Sequence, residues 1–415
     1  MTEAGTYTNT FSQQAIPLAD AERGAGFDYD LKLLVCAFTL LCLGLVMVAS
    51  SSISVAEQRF HDPLHYFWRQ SAAAAVGVIM AYCVVQLPLV YWQRLSRLLL
   101  VAAIVLLALV LIPGLGKEVN GSIRWVKLGP ISMQASEPAK LCVIIYLAGY
   151  LVHFHEEVRN TLIGFLRPVV VLIIIAGLLL LEPDFGSTAV IFATTLGMLF
   201  LGGVSFTRFA IWGGLALTGL AGVAVMAPYR VKRLLNFRNP WDDQFDSGFQ
   251  LVQALIAIGR GEWLGVGLGS SVLKMFYLPE AHTDFIFAVI AEEFGLAGSL
   301  ALVLMFGYLV LRALQIGGRA EEAGQLFGAY LAYGIGLWLG IQAFVNFGVN
   351  MGVLPTKGLT LPFISYGGNS LVVTCVALAL LLRAEHESRY RCFNPYTHGG
   401  PRARTRGGPS TYGRR

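Results

Sequence analysis

The sequence predicts an all-α integral membrane protein with about ten transmembrane helices. Of its 415 residues, 56% are hydrophobic and only 13% are charged, whereas a soluble domain averages about 45–50% apolar and about 25% charged residues. The apolar residues form long runs that recur along the whole chain, which excludes a single membrane anchor on a soluble enzyme. So few charges also exclude a disordered chain.

The ten predicted spans follow from the length of the apolar runs. A helix needs about 20 such residues to cross about 30 Å of hydrocarbon. Segments that meet or approach this length lie near residues 33–53, 68–88, 96–113, 139–153, 168–182, 186–203, 207–227, 284–312, 326–349 and 363–383.

Two polar tails flank this membrane domain of residues 33–383. Residues 1–32 are polar and mixed in charge, and no persuasive signal-peptide cleavage site follows the first apolar run at residues 33–53. Residues 384–415 are rich in arginine. An even number of spans places both tails on one side, and their Lys and Arg residues predict that this side is the cytoplasm. Because the net charge is only +5 and a basic tail is ordinary beside a membrane, no nucleic-acid binding is predicted.

One connection is far longer than its neighbours. It covers residues 228–283, between spans seven and eight, and lies outside the cytoplasm in this topology. Loops of such length usually serve a function. No CxxC pair or Cys/His cluster at metal spacing exists anywhere in the sequence, so we predict neither disulfides nor a metal site built from these residues.

Four segments on the predicted outer side carry ionisable groups beside span ends, where charge is costly and usually has a use. The first contains Arg124, Glu137 and Lys140. Glu137 and Lys140 are three residues apart, so on a helix they face the same way and can pair. An ordinary helix start, with Ser136 as the cap and Pro138 in the first turn, explains the same residues equally well.

The second and third segments contain carboxylates. Glu182 and Asp184 flank a proline between spans five and six, where both fit a catalytic site or a solvated turn. His282 and Asp284 end the long loop, and Asp284 begins span eight. The alternatives are a capping carboxylate for Asp284 and a hydrogen-bonding interface residue for His282.

The fourth segment precedes the last span. It contains Lys357 and a run of small and hydroxyl-bearing residues, whose alternative use is close helix packing. Arg124, Lys140 and Lys357 would attract an anionic lipid headgroup such as a pyrophosphate. For Lys357, the alternative is a lysine that only anchors the span.

Glu292 and Glu293 are the exception to this outward gathering of charge. On a regular helix they lie about 12–14 Å below Asp284. At least one of them is expected to face the interior, or else both pair with another span.

Long motifs in the second half of the chain resemble the SEDS family of shape, elongation, division and sporulation proteins, and the similarity extends from about Asp30 to Arg383. The motifs are Asn239-Pro240-Trp241, Gly248-Phe249-Gln250, Gly259-Arg260-Gly261, Gly265-Val266-Gly267-Leu268-Gly269, Leu278 to Ala288 and Pro355 to Gly368. Ala281 before His282 and Lys357-Gly358-Leu359 look like the cell-division branch of the family.

The resemblance implies a peptidoglycan glycosyltransferase that polymerises lipid II outside the bacterial cytoplasmic (inner) membrane, at the division septum. It implies a class B penicillin-binding transpeptidase and other division (divisome) membrane proteins as partners. Asp284 matches the catalytic residue, expected to take the proton from the acceptor hydroxyl. The expected substrate-binding residues are Arg124, Glu137, Lys140, Asp184, Arg260, His282, Lys357, Ser365, Tyr366, Gly367 and Gly368.

A divalent cation, Mg²⁺ or Mn²⁺, is compatible with such chemistry as a helper of the leaving group, although the sequence contains no recognisable metal cage. Three positions depart from the usual pattern of the family. Ala135 stands where proline is usual, Glu182 where glutamine is usual, and Asn369 where serine or threonine is usual.

Two other functions are compatible with the sequence. A lipid II flippase would also need many spans and cavity charges, but it requires polar groups along the whole path, whereas the charges here gather on the outer side. A non-catalytic scaffold that recruits division enzymes is the third hypothesis.

Overall fold

The computed structural model describes residues 29–119, 122–128, 131–225, 239–243, 248–272, 281–355 and 358–393. Lys357 therefore lies outside the described residues, as do residues 228–238, 244–247 and 273–280 of the long connection. The α-helices are α1 Leu31–Phe60, α2 His65–Val85, α3 Leu89–Val110, α4 Ser136–His153, α5 His155–Asn160, α6 Leu162–Leu181, α7 Phe185–Leu201, α8 Phe206–Val225, α9 Phe249–Arg260, α10 Ile286–Glu322, α11 Leu326–Asn350 and α12 Gly368–Phe393.

A helix is present at each of the ten predicted spans, and the all-α membrane fold is confirmed. In the described part of the chain, seven helices are long and apolar enough to cross a membrane: α1, α2, α3, α6, α10, α11 and α12. The other three predicted spans correspond to α4, α7 and α8, of which α7 has only 17 residues. The last helix continues to Phe393, and Arg383 and Glu385 near its end are buried.

A small sheet that the sequence analysis missed connects α3 to α4. Its strands are β1 Gly116–Val119, β2 Ser122–Leu128 and β3 Ile131–Gln134, paired antiparallel in the order β1-β2-β3. Trp125 of β2 lies opposite Lys117 on one side and Gln134 on the other. We call the end of the helix bundle that carries this sheet the sheet end.

Helix α10 is broken at Gly295, where φ is 67° and ψ is −163°. The break interrupts the helical hydrogen bonds at a depth where unpaired backbone groups are costly. Residues 262–267, which follow α9, supply the missing partners through four backbone hydrogen bonds of 2.9–3.1 Å. The bonds are Val266 N–H to Glu292 O, Gly267 N–H to Glu293 O, Leu296 N–H to Glu262 O and Ala297 N–H to Trp263 O.

The opposite end of the bundle is held by ion pairs. Asp30, which caps α1, pairs with Arg312 of α10. Within α12, Arg383 lies 2.7 Å from Glu387, whose carboxylate also accepts the N–H of Leu89 at 2.9 Å. These contacts tie α1 to α10 and α3 to α12 at the end away from the sheet.

Candidate functional site

The sheet end carries nearly all the predicted site residues that the structure describes. They lie at the start of α4, in the turn between α6 and α7, in the turn before α10 and in the segment before α12. These positions are remote in the sequence, and the antiparallel course of the spans brings them to the same end.

Asp284 lies in the turn that leads into α10, which begins two residues later at Ile286. The side chain is partly buried. Its backbone carbonyl oxygen accepts two hydrogen bonds of 3.0 Å, from the side-chain amides of Asn346 and Asn350 on α11. Gly358 lies against the carboxylate, because a Cβ added there would come within 2.5 Å of Asp284 Oδ2.

Glu137 and Lys140 form the expected ion pair at the start of α4. Lys140 Nζ lies 2.9 Å from Glu137 Oε1, and both side chains are almost completely buried. The ammonium also donates to Gln342 Oε1 at 2.8 Å. Since its charge is thus neutralised inside the protein, Lys140 would meet an anionic headgroup only if this pair opened.

The alternative of an ordinary helix start is wrong in its cap, which is not Ser136, although Pro138 does lie in the first turn. Ala135 occupies the N-cap position of α4, with no side-chain capping bond, and Ser136 is the first helical residue. The hydroxyl of Ser136 instead accepts a hydrogen bond of 3.2 Å from Gln134 of β3. The sheet therefore fixes the beginning of α4.

The alternative that Glu182 and Asp184 form a solvated turn is also wrong, since both are buried. Asp184 caps α7, accepting from the backbone N–H of Ser187 at 3.1 Å and from its hydroxyl at 2.8 Å. Arg124 donates to the carbonyl oxygens of Glu182 and Pro183 at 3.3 and 2.7 Å. Arg124 thereby fixes this turn to β2.

Glu182 has no hydrogen-bond partner for either carboxylate oxygen among the described residues. Burial is the main cause that raises its pKa, from 4.5 to about 8, and the neighbouring Asp184 raises it further, whereas Arg124 lowers it. A neutral carboxyl group is thus favoured near neutral pH.

His282 and Tyr366 belong to an aromatic cluster with Tyr66 of α2. The ring of Tyr66 lies 4.7 Å from that of His282 and 5.0 Å from that of Tyr366, measured between centroids. The backbone N–H of Tyr366 donates to the carbonyl oxygen of His282 at 2.9 Å. This cluster joins the segment before α12 to the turn before α10.

Ser365 strengthens the same junction. Its hydroxyl donates to the carbonyl oxygen of Thr283 at 2.6 Å and accepts from the N–H of Leu361 at 2.7 Å. Gln70 of α2 donates to Ser365 O at 3.1 Å and accepts from Gly367 N–H at 3.2 Å. A Cβ added to Gly368 would lie 3.2 Å from the Cβ of Ala73, so the small residue there permits close packing on α2.

Arg260 does not join this group. It pairs with Glu292 at 3.3 Å, and Glu292 lies more than two helical turns along α10 from Asp284. Glu292 also accepts from Ser271 and from the N–H of Val272, while Glu293 accepts from Ser50 of α1 at 2.8 Å. Both glutamates are buried, as expected from their position inside a span.

The sequence analysis missed the carboxamides that hold the site together. Gln342, Asn346 and Asn350 are buried on one face of α11. Their four-residue spacing within a mostly apolar span was the available signal, since a buried polar group in a membrane helix usually has a fixed partner. Gln70 of α2 gave the same signal.

The described residues contain no group of three or more His, Cys, Asp or Glu side chains that could hold a metal ion. We therefore derive no step from a metal. Lys357 lies outside the described residues, although Gly358 and Leu359 after it are described.

These features define a multi-pass helical membrane protein with a carboxylate, a buried ion pair and a Ser- and Gly-rich segment assembled at one end of its bundle. Residues 31–390 match the cell cycle protein family of FtsW, RodA and SpoVE. The chain belongs to this family, the SEDS family, in agreement with the resemblance in its motifs.

Similar proteins cover almost the whole chain. One is named "Probable peptidoglycan glycosyltransferase FtsW", from Nitrosococcus halophilus, and is 56% identical over 361 residues, or 87% of this chain and 93% of the relative. The protein of the same name from Legionella pneumophila is 50% identical over 363 residues, or 88% of this chain and 92% of the relative.

Two solved structures share the fold. A chain from a peptidoglycan synthase complex gives a TM-score of 0.72 at 30% identity, covering 88% of this chain and 99% of that one. The rod shape determining protein RodA of Thermus thermophilus gives 0.64 at 28% identity, covering 87% of this chain and 98% of that one.

Proposed function

We propose that this chain is a peptidoglycan glycosyltransferase that polymerises lipid II, with Asp284 as the general base. The class of activity is the one named for relatives that share about half of its residues over most of the chain. The observation that carries the mechanism is the placement of Asp284, a carboxylate held at the sheet end between α11 and the segment after Lys357.

Glycosyl transfer from a lipid pyrophosphate needs a base for the acceptor hydroxyl more than it needs an acid for the leaving group. Asp284 accepts the proton of the acceptor's GlcNAc 4-hydroxyl, whose oxygen attacks the anomeric carbon of the donor's MurNAc with inversion. The bond to undecaprenyl pyrophosphate breaks, and the pyrophosphate leaves as a stabilised anion. Proton transfer to a positioned carboxylate contributes about 10²–10⁴-fold to such a reaction.

Cations near the site favour the anionic leaving group. We assign this role to Lys357 and to Arg124, whose side chain contacts the turn between α6 and α7. The carbonyl contacts of Arg124 use Nε and Nη2, and its positive charge adds to the field at the sheet end. Arginine and lysine at headgroup level are the usual ligands of lipid phosphates.

An apolar cavity supports a substrate with a hydrocarbon tail. It lies between α6, α7 and α8, has a volume of about 320 Å³ and is lined by Leu172, Phe192 and Trp212 among others. Apolar walls of this kind accept an isoprenoid chain without desolvating polar groups.

The distribution of polar groups favours the enzyme over a flippase. Helix α11 is described completely, and its buried carboxamides lie in the half nearer the sheet, whereas its buried residues from Phe327 to Leu339 are almost all apolar. On α10, the buried Glu292, Glu293 and Ser299 also lie in the half nearer the sheet, whereas the buried positions Leu302, Phe306, Leu309 and Ala313 are apolar. A transport path for a charged headgroup would need polar groups along both halves.

The proposed topology places the sheet end outside the bacterial cytoplasmic membrane and both termini in the cytoplasm, because the tails carry the excess of Lys and Arg. The proposed partners are a class B penicillin-binding transpeptidase and other membrane proteins of the division septum. In support, one structural neighbour is a chain of a peptidoglycan synthase complex.

Purified protein, with and without its transpeptidase partner, tests the proposal when it is supplied with lipid II in detergent and glycan polymer is measured. We expect polymer from the complex and at least about a 100-fold loss for Asp284→Asn, which keeps size but cannot accept the proton. Near-normal turnover of Asp284→Asn would remove Asp284 from the mechanism. Absence of polymer under all conditions, with lipid II translocation in vesicles, would support the flippase instead.

A further inference from the structure

One side-chain amide connects the two segments that face each other at the candidate site. Asn346 Nδ2 donates to the carbonyl oxygen of Asp284 at 3.0 Å and to that of Leu359 at 2.6 Å. Asn346 is buried on α11, between Gln342 and Asn350 on the same helix face. A primary amide has two N–H groups, so a single rigid group bonds both segments at once.

The geometry on either side of this amide is closely constrained. On one side, Asn350 gives the Asp284 carbonyl a second bond of 3.0 Å and accepts the N–H of Ala288 at 3.2 Å. On the other side, Gln342 donates to the carbonyl oxygen of Thr360 at 2.8 Å. Ser365 also bridges the two segments, through Thr283 O and Leu361 N–H, but of these two residues only Asn346 bonds to Asp284 itself.

The consequence of this connection is the approach of Gly358 to Asp284. Because Leu359 is fixed to Asn346, the preceding Gly358 lies where an added Cβ would come within 2.5 Å of Asp284 Oδ2. The Asn346 amide, together with the Ser365 hydroxyl, therefore sets the distance between the carboxylate and the 358–361 segment. A shift of about 1 Å in a reacting group can cost about 100-fold in rate.

We propose that Asn346 is a positioning residue for the transfer reaction, holding the Asp284 turn and the 358–361 segment at the separation in which Asp284 can take the acceptor's proton. The inference rests on the proposed function. Asn346 touches neither substrate nor the reacting atoms in this mechanism, and it acts through Asp284.

A double-mutant cycle tests this role in the full-length protein with its transpeptidase partner and lipid II. Asn346→Ala is expected to lower kcat by about 100-fold with a change in KM below about threefold, since substrate binding is untouched. In the Asp284→Asn background, Asn346→Ala is expected to cause no further loss, because the group that it positions is no longer a base. A merely structural residue would lower activity in both backgrounds.

Asn369→Ala is the matched control. Its amide donates to a backbone carbonyl, that of Ser132, at 3.1 Å, and so bonds to the sheet rather than to the Asp284 turn. We expect Asn369→Ala to keep kcat within about twofold of the wild type, as is usual for a substitution outside the reacting centre. Asn346→Asp, which keeps the volume but has no N–H to donate, is expected to behave like Asn346→Ala.

Four results would overturn the inference: normal kcat in Asn346→Ala, a loss confined to KM, a loss of equal size in the Asp284→Asn background, or failure of both Asn346 variants to fold. Failure of the proposed function is distinguishable, because it appears as normal turnover of Asp284→Asn alone. If Asp284→Asn is inactive and Asn346→Ala is normal, only the role of Asn346 is lost.

Discussion

Gly358 lies so close to Asp284 that a single added carbon would come within 2.5 Å of the carboxylate oxygen Oδ2. The pair shows that the segment before α12 forms one wall of the space around the proposed base.

Gly358→Ala is expected to lower kcat for lipid II polymerisation by about 100-fold, because the new methyl group displaces the Asp284 carboxylate. Initial rates at saturating lipid II measure the effect. Gly307→Ala on α10 is the control, since a Cβ there meets nothing within 4 Å. A Gly358→Ala protein with wild-type kcat would show that the carboxylate does not need its described position.

Glu137→Gln and Lys140→Met are each expected to cost about 3–5 kcal/mol of stability, because either change leaves the other charge buried without its partner. The double variant should lose less than the sum, and thermal unfolding in detergent measures this coupling. The control is the exposed pair of Arg167 and Glu157, also 2.9 Å apart, which should contribute at most about 1 kcal/mol. Additive losses at Glu137 and Lys140 would show that the buried pair does not interact.

Glu182→Gln is expected to remove a pH dependence of stability. The folded protein holds the Glu182 pKa at about 8, against 4.5 ordinarily, so between these values only the folded state keeps the proton. The stabilisation is present below the lower value and is lost as the pH rises through about 8. Below a pH of 4.5 the Glu182 carboxyl is protonated in both states, so the unfolding temperatures of the wild type and Glu182→Gln should differ least there. As the pH rises to about 8, the wild type should lose stability relative to Glu182→Gln. A constant difference from pH 4 to pH 9, roughly the span over which such a group titrates, would contradict the raised pKa.

Gly265→Ala is expected to be less stable than Gly269→Ala. Both glycines have positive φ, 80° and 81°, so alanine is strained at either position, but only at Gly265 would the Cβ overlap the carbonyl oxygen of Glu293. The added clash should cost about 1–3 kcal/mol and release residues 262–267 from the break in α10. Thermal unfolding and proteolysis of this loop compare the two variants, and equal stabilities would mean that the loop is not held against α10.

Lys357→Ala is expected to impair lipid II use more than Lys357→Arg, which keeps the charge but changes its shape. The reason is its position in the sequence, directly before Gly358. Initial rates against lipid II concentration, at equal protein abundance in the membrane, test this difference. An unchanged curve for Lys357→Ala would leave Lys357 only the role of an anchor for the span.

The sequence by itself determined the features that depend on neighbouring residues. Runs of apolar residues predict spans because hydrocarbon thickness sets helix length, and a helix was found at each predicted span. The pairing of Glu137 with Lys140 also follows from the sequence, because residues three apart on a helix lie on the same face. Asp284 was predicted to begin a span, and it lies in the turn two residues before α10 begins.

Only the tertiary structure decided which distant groups meet. Asn346 bonds to Asp284 across 62 residues of sequence, and Lys140 bonds to Gln342 across 202. Helix packing also decides that Glu182 and Asp184 are buried and that Arg124 bonds to their turn. It likewise brings residues 262–267 to the break at Gly295. Spacing along the chain fixes the face of one helix, but partners on other helices are fixed by their packing, because a buried polar group must find its hydrogen bond wherever the fold places a donor or acceptor.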